Sequence, residues 1–265
     1  MRPHTSSLIA LALLAHAVPG ISRAQDAPVP ESSPDAAREW IAGRYESALF
    51  DDASDAWHFG ALELGARRTR LAAVGRVNAA SRFDTEGYQL EADLYPALPG
   101  VGYAYLSGAW SEGAPFPELR AAAEAFVALP AALEASAGVV YMDFGEDDVA
   151  IVVGSLSAYL RDYWLSARPS WTTGGGELAL TLAARRYLRT ADEFATLRLL
   201  AGSTPEEVAT RGEPGLETLG LQADAQLLVA PRVLLLPVLG VAREEQTGGD
   251  ARLRFTLGAG VMYLF

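Results

Sequence analysis

At 265 residues, half of them hydrophobic, the chain can bury a large interior, which excludes a disordered or low-complexity protein. The absence of cysteine excludes disulfides, thiolate metal centres and a lipid-anchored N-terminal cysteine. A formal charge of −12, with arginine as the sole cationic side chain, repels nucleic acid and excludes it as a partner.

The opening MRPHTSSLIALALLAHAVPGISRAQ has Arg2, an apolar run from Leu8 to Val18 and small residues Ser22 and Ala24 before Gln25, which predicts a secretory signal over residues 1–24. The apolar run is too short for a membrane-spanning helix, which needs about 20 residues. Removing it takes Arg2 and Arg23 and no acid, leaving 19 arginines against 33 acids, a net of −14. Residues 25–41, rich in Pro, Ser and acids and without periodicity, are expected to be a flexible leader, and 42–265 a barrel domain.

From about Arg44 the pattern becomes short alternating stretches separated by Gly, Asp, Pro and Thr. It predicts strands near 42–50, 57–66, 69–82, 85–96, 101–110, 117–129, 131–144, 147–156, 159–169, 176–188, 192–202, 215–229, 231–243 and 250–265. Successive strand side chains point to opposite faces, so GLETLGLQADAQLLV sets Leu219, Leu221, Ala223, Ala225 and Leu227 against Thr218, Gln222, Asp224 and Gln226. EGYQLEADLYP and RLAAVGRVNAASR split in the same way. Residues 117–138 are rich in good helix formers, yet Leu119 to Val127 and Leu133 to Tyr141 keep a period of two, and strands are expected there too. Short connections (RRT, PALPG, PAA, VAP) alternate with longer acidic or Gly-rich ones (DDASDA, SEGAPF, GEDD, SWTTGGG, STPEEVATRGEP, EEQTGGD).

The expected fold is therefore all-β: a transmembrane antiparallel up-and-down barrel of about 14 strands, with 12 as the alternative. An exported chain without a helical span enters a membrane only as a closed barrel, because lipid offers no partners to free backbone groups. Trp57, Phe83, Tyr95, Trp110, Phe116, Phe144, Tyr159, Trp171 and Phe194 fall near predicted strand ends and are expected to form interfacial girdles. The terminal RFTLGAGVMYLF keeps Leu253, Phe255, Leu257, Ala259, Val261, Tyr263 and Phe265 on one face. Val261, Tyr263 and Phe265 are expected to be a C-terminal signal read by barrel-assembly machinery.

From Glu91 to Glu207 the ordered pieces EADLYP (91–96), YAYLSG (103–108), Phe116-Pro117, LPAALEASAGVVYMDF (129–144), VGSLSAYLRDYWLSARPSW (153–171) and ARRYLRTADEFATLRLLAGSTPEE (184–207) resemble the YaiO-like outer-membrane β-barrel family. The resemblance implies a barrel in the bacterial outer membrane, in contact with its lipid and lipopolysaccharide. It brings no established activity with it.

Catalytic chemistry finds little to work with. His4 and His16 leave with the signal, so His58 alone could act as a general base, and no enzyme activity is expected. DFGEDD (143–148) lacks the spacing of a calcium loop, and neither metal nor cofactor is expected. With apolar residues facing lipid, Glu63, Arg76, Asn78, Glu91, Asp93, Arg120, Glu124, Glu134, Ser136, Arg168, Arg185, Arg198, Gln222, Asp224 and Gln226 point into the lumen. Such balanced charge reads in two ways: a polar path for a hydrophilic solute such as a saccharide, in a channel or an export or presentation component, or a salt-bridged, closed lumen in a structural or interaction barrel. An outer-membrane lipid-modifying enzyme is the third reading, disfavoured by the histidine count.

Overall fold

The computed structural model describes residues 38–52, 54–82, 84–203, 217–245 and 251–265. The expected signal segment, the leader up to residue 37, Ala53, Phe83 and residues 204–216 and 246–250 lie outside the described residues. No helix among the described residues is long and apolar enough to cross a membrane.

Alternation of apolar and polar side chains produces a single antiparallel sheet that closes on itself. Its first seven strands are β1 (Arg38–Phe50), β2 (Trp57–Arg68), β3 (Leu71–Arg82), β4 (Thr85–Leu98), β5 (Gly102–Ser111), β6 (Leu119–Leu129) and β7 (Leu133–Asp143). They are followed by β8 (Asp148–Leu160), β9 (Tyr163–Thr172), β10 (Leu178–Tyr187), β11 (Phe194–Ser203) and β12 (Glu217–Ala230). The last three are β13 (Val233–Leu235), β14 (Val238–Glu245) and β15 (Ala251–Leu264). β13 and β14 are one pass: Leu236 still exchanges backbone hydrogen bonds of 2.9 Å with Gly260 of β15, and the break falls at Pro237, which has no N–H to donate. Fifteen segments thus make fourteen passes, sealed where β1 pairs with β15 from Trp40↔Leu264 to Phe50↔Arg254. An even number of passes leaves both ends of the barrel strand path at the short-turn rim.

The outward face carries the apolar residues and the inward face the charges, the reverse of a soluble barrel. Leu62, Leu90, Leu156, Leu219 and Leu257 are all more than half exposed, whereas Asn78 and Asp93 have no exposure at all. Only lipid can receive so wide an apolar belt without cost.

The boundaries that differ most from expectation are the start of β1 and the β8–β9 turn, which moves the ninth strand from the expected 159–169 to Tyr163–Thr172. β1 begins at Arg38, inside the stretch assigned to the leader, because Trp40 and Ala42 already point inward and pair with Leu264 and Met262. β8 runs on to Leu160 because Ser157 and Tyr159 continue the inward series; the turn lies at Arg161, with φ of 56°, and Asp162. At the β6–β7 turn both Ala131 and Ala132 have positive φ, 64° and 56°, the backbone of a tight hairpin that usually carries Asn or Gly.

Candidate functional site: the filled lumen

The inward side chains form three levels. At the short-turn rim, Trp40, Tyr95, Tyr103, Phe126, Leu234, Leu236 and Met262 belong to one buried apolar cluster, with Tyr103 stacked on Phe126 at 4.4 Å. Beside it Trp164, Tyr187 and Phe194 pack together, and the Arg185 guanidinium lies 4.0 Å from the Phe194 ring centre and 5.4 Å from that of Trp164. Arg185 Nε also donates to Thr196 Oγ1 at 3.0 Å.

The middle level is ionic. Arg76 donates from Nε to Glu63 at 2.7 Å and from Nη1 to Glu91 at 3.2 Å, and it also bonds Asp93. Glu63 further accepts from Trp40 Nε1 at 2.6 Å and Arg44 at 3.3 Å. Asn78 Nδ2 bridges Gln89 at 3.1 Å and Glu91 at 2.9 Å, and the Tyr105 hydroxyl donates to Asp93 at 3.3 Å. Across the next strands Arg168 grips Glu124 with two bonds of 2.6 and 2.7 Å, a fork on a carboxylate. That reach over β7 and β8 is open because Gly138 and Ser136 are small; a Cβ on Gly138 would lie 2.6 Å from that of Glu124. Ser136 donates to Glu124 at 2.5 Å, Arg120 to Ser107 at 3.1 Å, and Arg198 pairs with Asp224.

At the loop rim the β5–β6 connection folds inward. Phe116 packs on Phe59, Ala61 and Ala80, Arg82 donates to the Pro115 carbonyl at 2.8 Å, and Ser111 Oγ donates to that of Pro117 at 2.8 Å. Among the described residues, apolar clusters thus lie on both sides of the ionic level.

Every residue assigned to the lumen from the sequence lies on the inward face; all are buried except Ser136, which is partly so. They do not form one network. Arg76, Glu63, Glu91, Asp93 and Asn78 come together, as do Arg168, Glu124 and Ser136, and Arg198 with Asp224. Glu134 stands apart: its closest polar partner is the Tyr159 hydroxyl at 3.5 Å, and no arginine among the described residues forms an ion pair with it. Val261, Tyr263 and Phe265 are exposed on the outward face, with Tyr263 edge-on to Phe265 at 5.2 Å. His58 also faces outward, where its Nδ1 shares a hydrogen bond of 2.6 Å with the Tyr45 hydroxyl, away from the interior carboxylates.

The girdle expectation needs correction. Trp57, Tyr95, Phe116 and Phe194 are buried inside, and Phe144 and Tyr159 pack against the inner clusters; of the aromatics named, Trp110 and Trp171 face outward. These six lie toward the two ends of the barrel, in or against the apolar clusters. Trp40, Arg44, Gln89 and Tyr105 join the ionic level without having been singled out. Alternation in EGYQLEADLYP already sets Gln89 beside Glu91 and Asp93, and the same rule would have placed Tyr105 beside Ser107, whereas Trp40 was hidden in the apparent leader.

At the short-turn rim Glu193 accepts from Arg189 at 2.5 Å and from the Leu228 amide at 3.1 Å. The Arg189 guanidinium, aided by that amide, holds the Glu193 carboxyl below its ordinary value of 4.5. A depressed folded-state value stabilises fully above pH 4.5, and the contribution is lost as pH falls through the folded value. On acidification through the carboxylate range, the thermal midpoint of wild type should fall further than that of Glu193→Gln; parallel curves would refute this.

The comparisons agree with this architecture. The outer membrane protein Omp33 of Acinetobacter baumannii superposes with a TM-score of 0.55 at 11% identity, covering 86% of this chain and 99% of its own. The CymD monoaromatic hydrocarbon channel superposes at 0.56 with 7% identity, covering 87% and 89%. Likeness at such identities speaks to fold alone. A search of curated proteins gives no significant match. The family model described as the YaiO membrane beta barrel domain matches residues 39–207, well over half the chain, and the protein belongs to that family.

Proposed function

We propose that the protein is an outer-membrane barrel with a closed lumen, which serves as a structural or interaction scaffold displaying its loops at the cell surface. The burial of its inward side chains between two apolar rims carries this reading: a water-filled bore would leave the ionic level accessible, and here Arg76, Glu63 and Asp93 are at most 5% exposed. Export by the N-terminal segment and recognition of the terminal strand by assembly machinery belong to the same proposal. So does contact with lipopolysaccharide.

A second reading, a gated passage for a hydrophilic solute, draws on the ionic filling itself, since buried ionisable groups are costly and an apolar interior would be cheaper.

Conductance separates the two. The purified barrel in planar bilayers should show no steady pore current; a stable current in wild type would overturn the closed reading. Arg168→Met, which strands Glu124, should lower the unfolding midpoint while leaving conductance unchanged. Glu134→Gln should not lower the midpoint, because no arginine loses a partner.

A further inference from the structure

The outward apolar belt is not uniform. Over β1 to β6 it holds a depression of about 770 Å³ whose floor includes Gly75, Ala92 and Gly108. Register sets these three side by side and continues the row to Ala121 of β6. A Cβ at Gly75 or at Gly108 would meet nothing within 4 Å, so the floor is open. Glu63, Arg76 and Glu91 also border it, but their side chains turn inward into the ionic level.

Large residues enclose the floor. Two positions nearer the loops, register aligns Leu62, Val77, Leu90, Trp110 and Leu119 into an unbroken wall, each at least 45% exposed. Two positions nearer the short turns, Leu94 and Leu106 stand opposite each other as a second wall. Leu64, beside Gly75, closes one end and Tyr141, beside Ala121, the other. Three strand spacings separate Gly75 from Ala121, a trough of about 14 Å. That is the reach of one acyl chain, since two opposed leaflets fill a hydrocarbon core of about 30 Å.

The two ends of the trough differ in height and in charge. Gly75 is the fifth residue of β3 from the short-turn end, whereas Ala121 is the third of β6 from the loop end, so the trough climbs across the tilted strands. From its low end the small outward pair Ala66 and Ala73 leads to the β2–β3 turn, where Arg68 and Arg70 are exposed and Arg67 is half-buried. The acid beside them is Glu39, which Arg68 meets at 2.6 Å in a pair more than half exposed on both sides and easily exchanged for another anion. At the loop rim above the high end Asp84, Glu86, Glu112 and Glu118 are exposed, while Arg82 turns inward to the Pro115 carbonyl.

We infer that this trough seats one acyl chain of an anionic phospholipid, its phosphate held by Arg68 and Arg70 at the short-turn rim. Among lipid tails no hydrophobic force favours one chain over another, so the seat acts through contact: a chain lying between two walls touches side chains on three sides. Charge selects the source. The acidic loop rim repels the phosphates of lipopolysaccharide at this trough, and the arginine turn attracts a phospholipid of the opposite leaflet. The trough lies on the outer surface, so the inference is independent of whether the lumen is closed.

The test uses the full-length barrel in detergent micelles, with phosphatidylglycerol as the probe and phosphatidylethanolamine and lipid A as comparisons. Native mass spectrometry should show one retained phosphatidylglycerol on wild type, with phosphatidylethanolamine and lipid A held more weakly. Gly75→Leu with Gly108→Leu, which raises the floor to the level of its walls, should weaken retention by at least about tenfold. Arg68→Gln and Arg70→Gln should each cost about fivefold. Ala223→Leu, on the outward face of β12, and Arg161→Gln, at another short turn, should bind like wild type. Heat-modifiable gel migration confirms that each variant is folded. No retained phosphatidylglycerol on wild type, undiminished retention in the trough or the turn variants, or stronger retention of lipid A would overturn the inference.

Discussion

Replacing Arg76 with methionine is expected to destabilise the folded barrel by about 3–5 kcal/mol, the usual cost of removing one partner from a buried ionic pair. Arg76 serves Glu63, Glu91 and Asp93, all at most 6% exposed, so its loss leaves carboxylates in a site that water does not reach. Glu63 retains Arg44 and the Trp40 indole, which concentrates the damage on Glu91 and Asp93. The triple variant Arg76→Met, Glu91→Gln, Asp93→Asn should recover more than half of the loss, since a neutral set no longer needs a cation. Urea titration of the barrel refolded in lipid vesicles measures both; an Arg76→Met midpoint equal to wild type would show that the hub contributes nothing.

Gly65→Ala is expected to cost about 3 kcal/mol, the upper range for forcing an atom into a packed interior. The Trp40 indole lies flat over Gly65, and a Cβ there would stand 1.8 Å from Trp40 Cζ2 and 2.0 Å from Cε2. Trp40 must move, and its 2.6 Å hydrogen bond to Glu63 goes with it. Gly75→Ala is the matched comparison: that glycine faces outward, a Cβ meets nothing within 4 Å, and the change should be neutral or slightly stabilising. Equal midpoints for the two variants would refute the packing argument.

The strand series was legible because each pass repeats a period of two, and a membrane barrel must keep that period on both faces. Even residues 117–138, with helix-favouring composition, became β6 and β7, since Leu119 to Val127 never break the alternation. Where a boundary was misplaced, local chemistry was silent or misleading. The Pro-rich context of Trp40 concealed a strand start, and the β6–β7 turn adopts left-handed conformations at two alanines that advertise no such thing.

Inward-facing residues were legible for the same reason, but their partners were not. Arg168 and Glu124 lie 44 positions apart and meet across two intervening strands, and only register and the small residues between them bring that about. Aromatics at strand ends divided between lumen and lipid by parity alone: Trp57 and Tyr95 turn in, Trp110 turns out.

By itself the sequence determined the class and the face on which the strand charges lie, because alternation is a local property of a strand; the choice between fourteen and twelve passes it left open. Tertiary structure alone decided that fourteen passes close, that the charges interlock, and that apolar clusters lie on both sides of them among the described residues. Those outcomes depend on which side chains share a level once fourteen passes close, and closure is a property of the whole sheet.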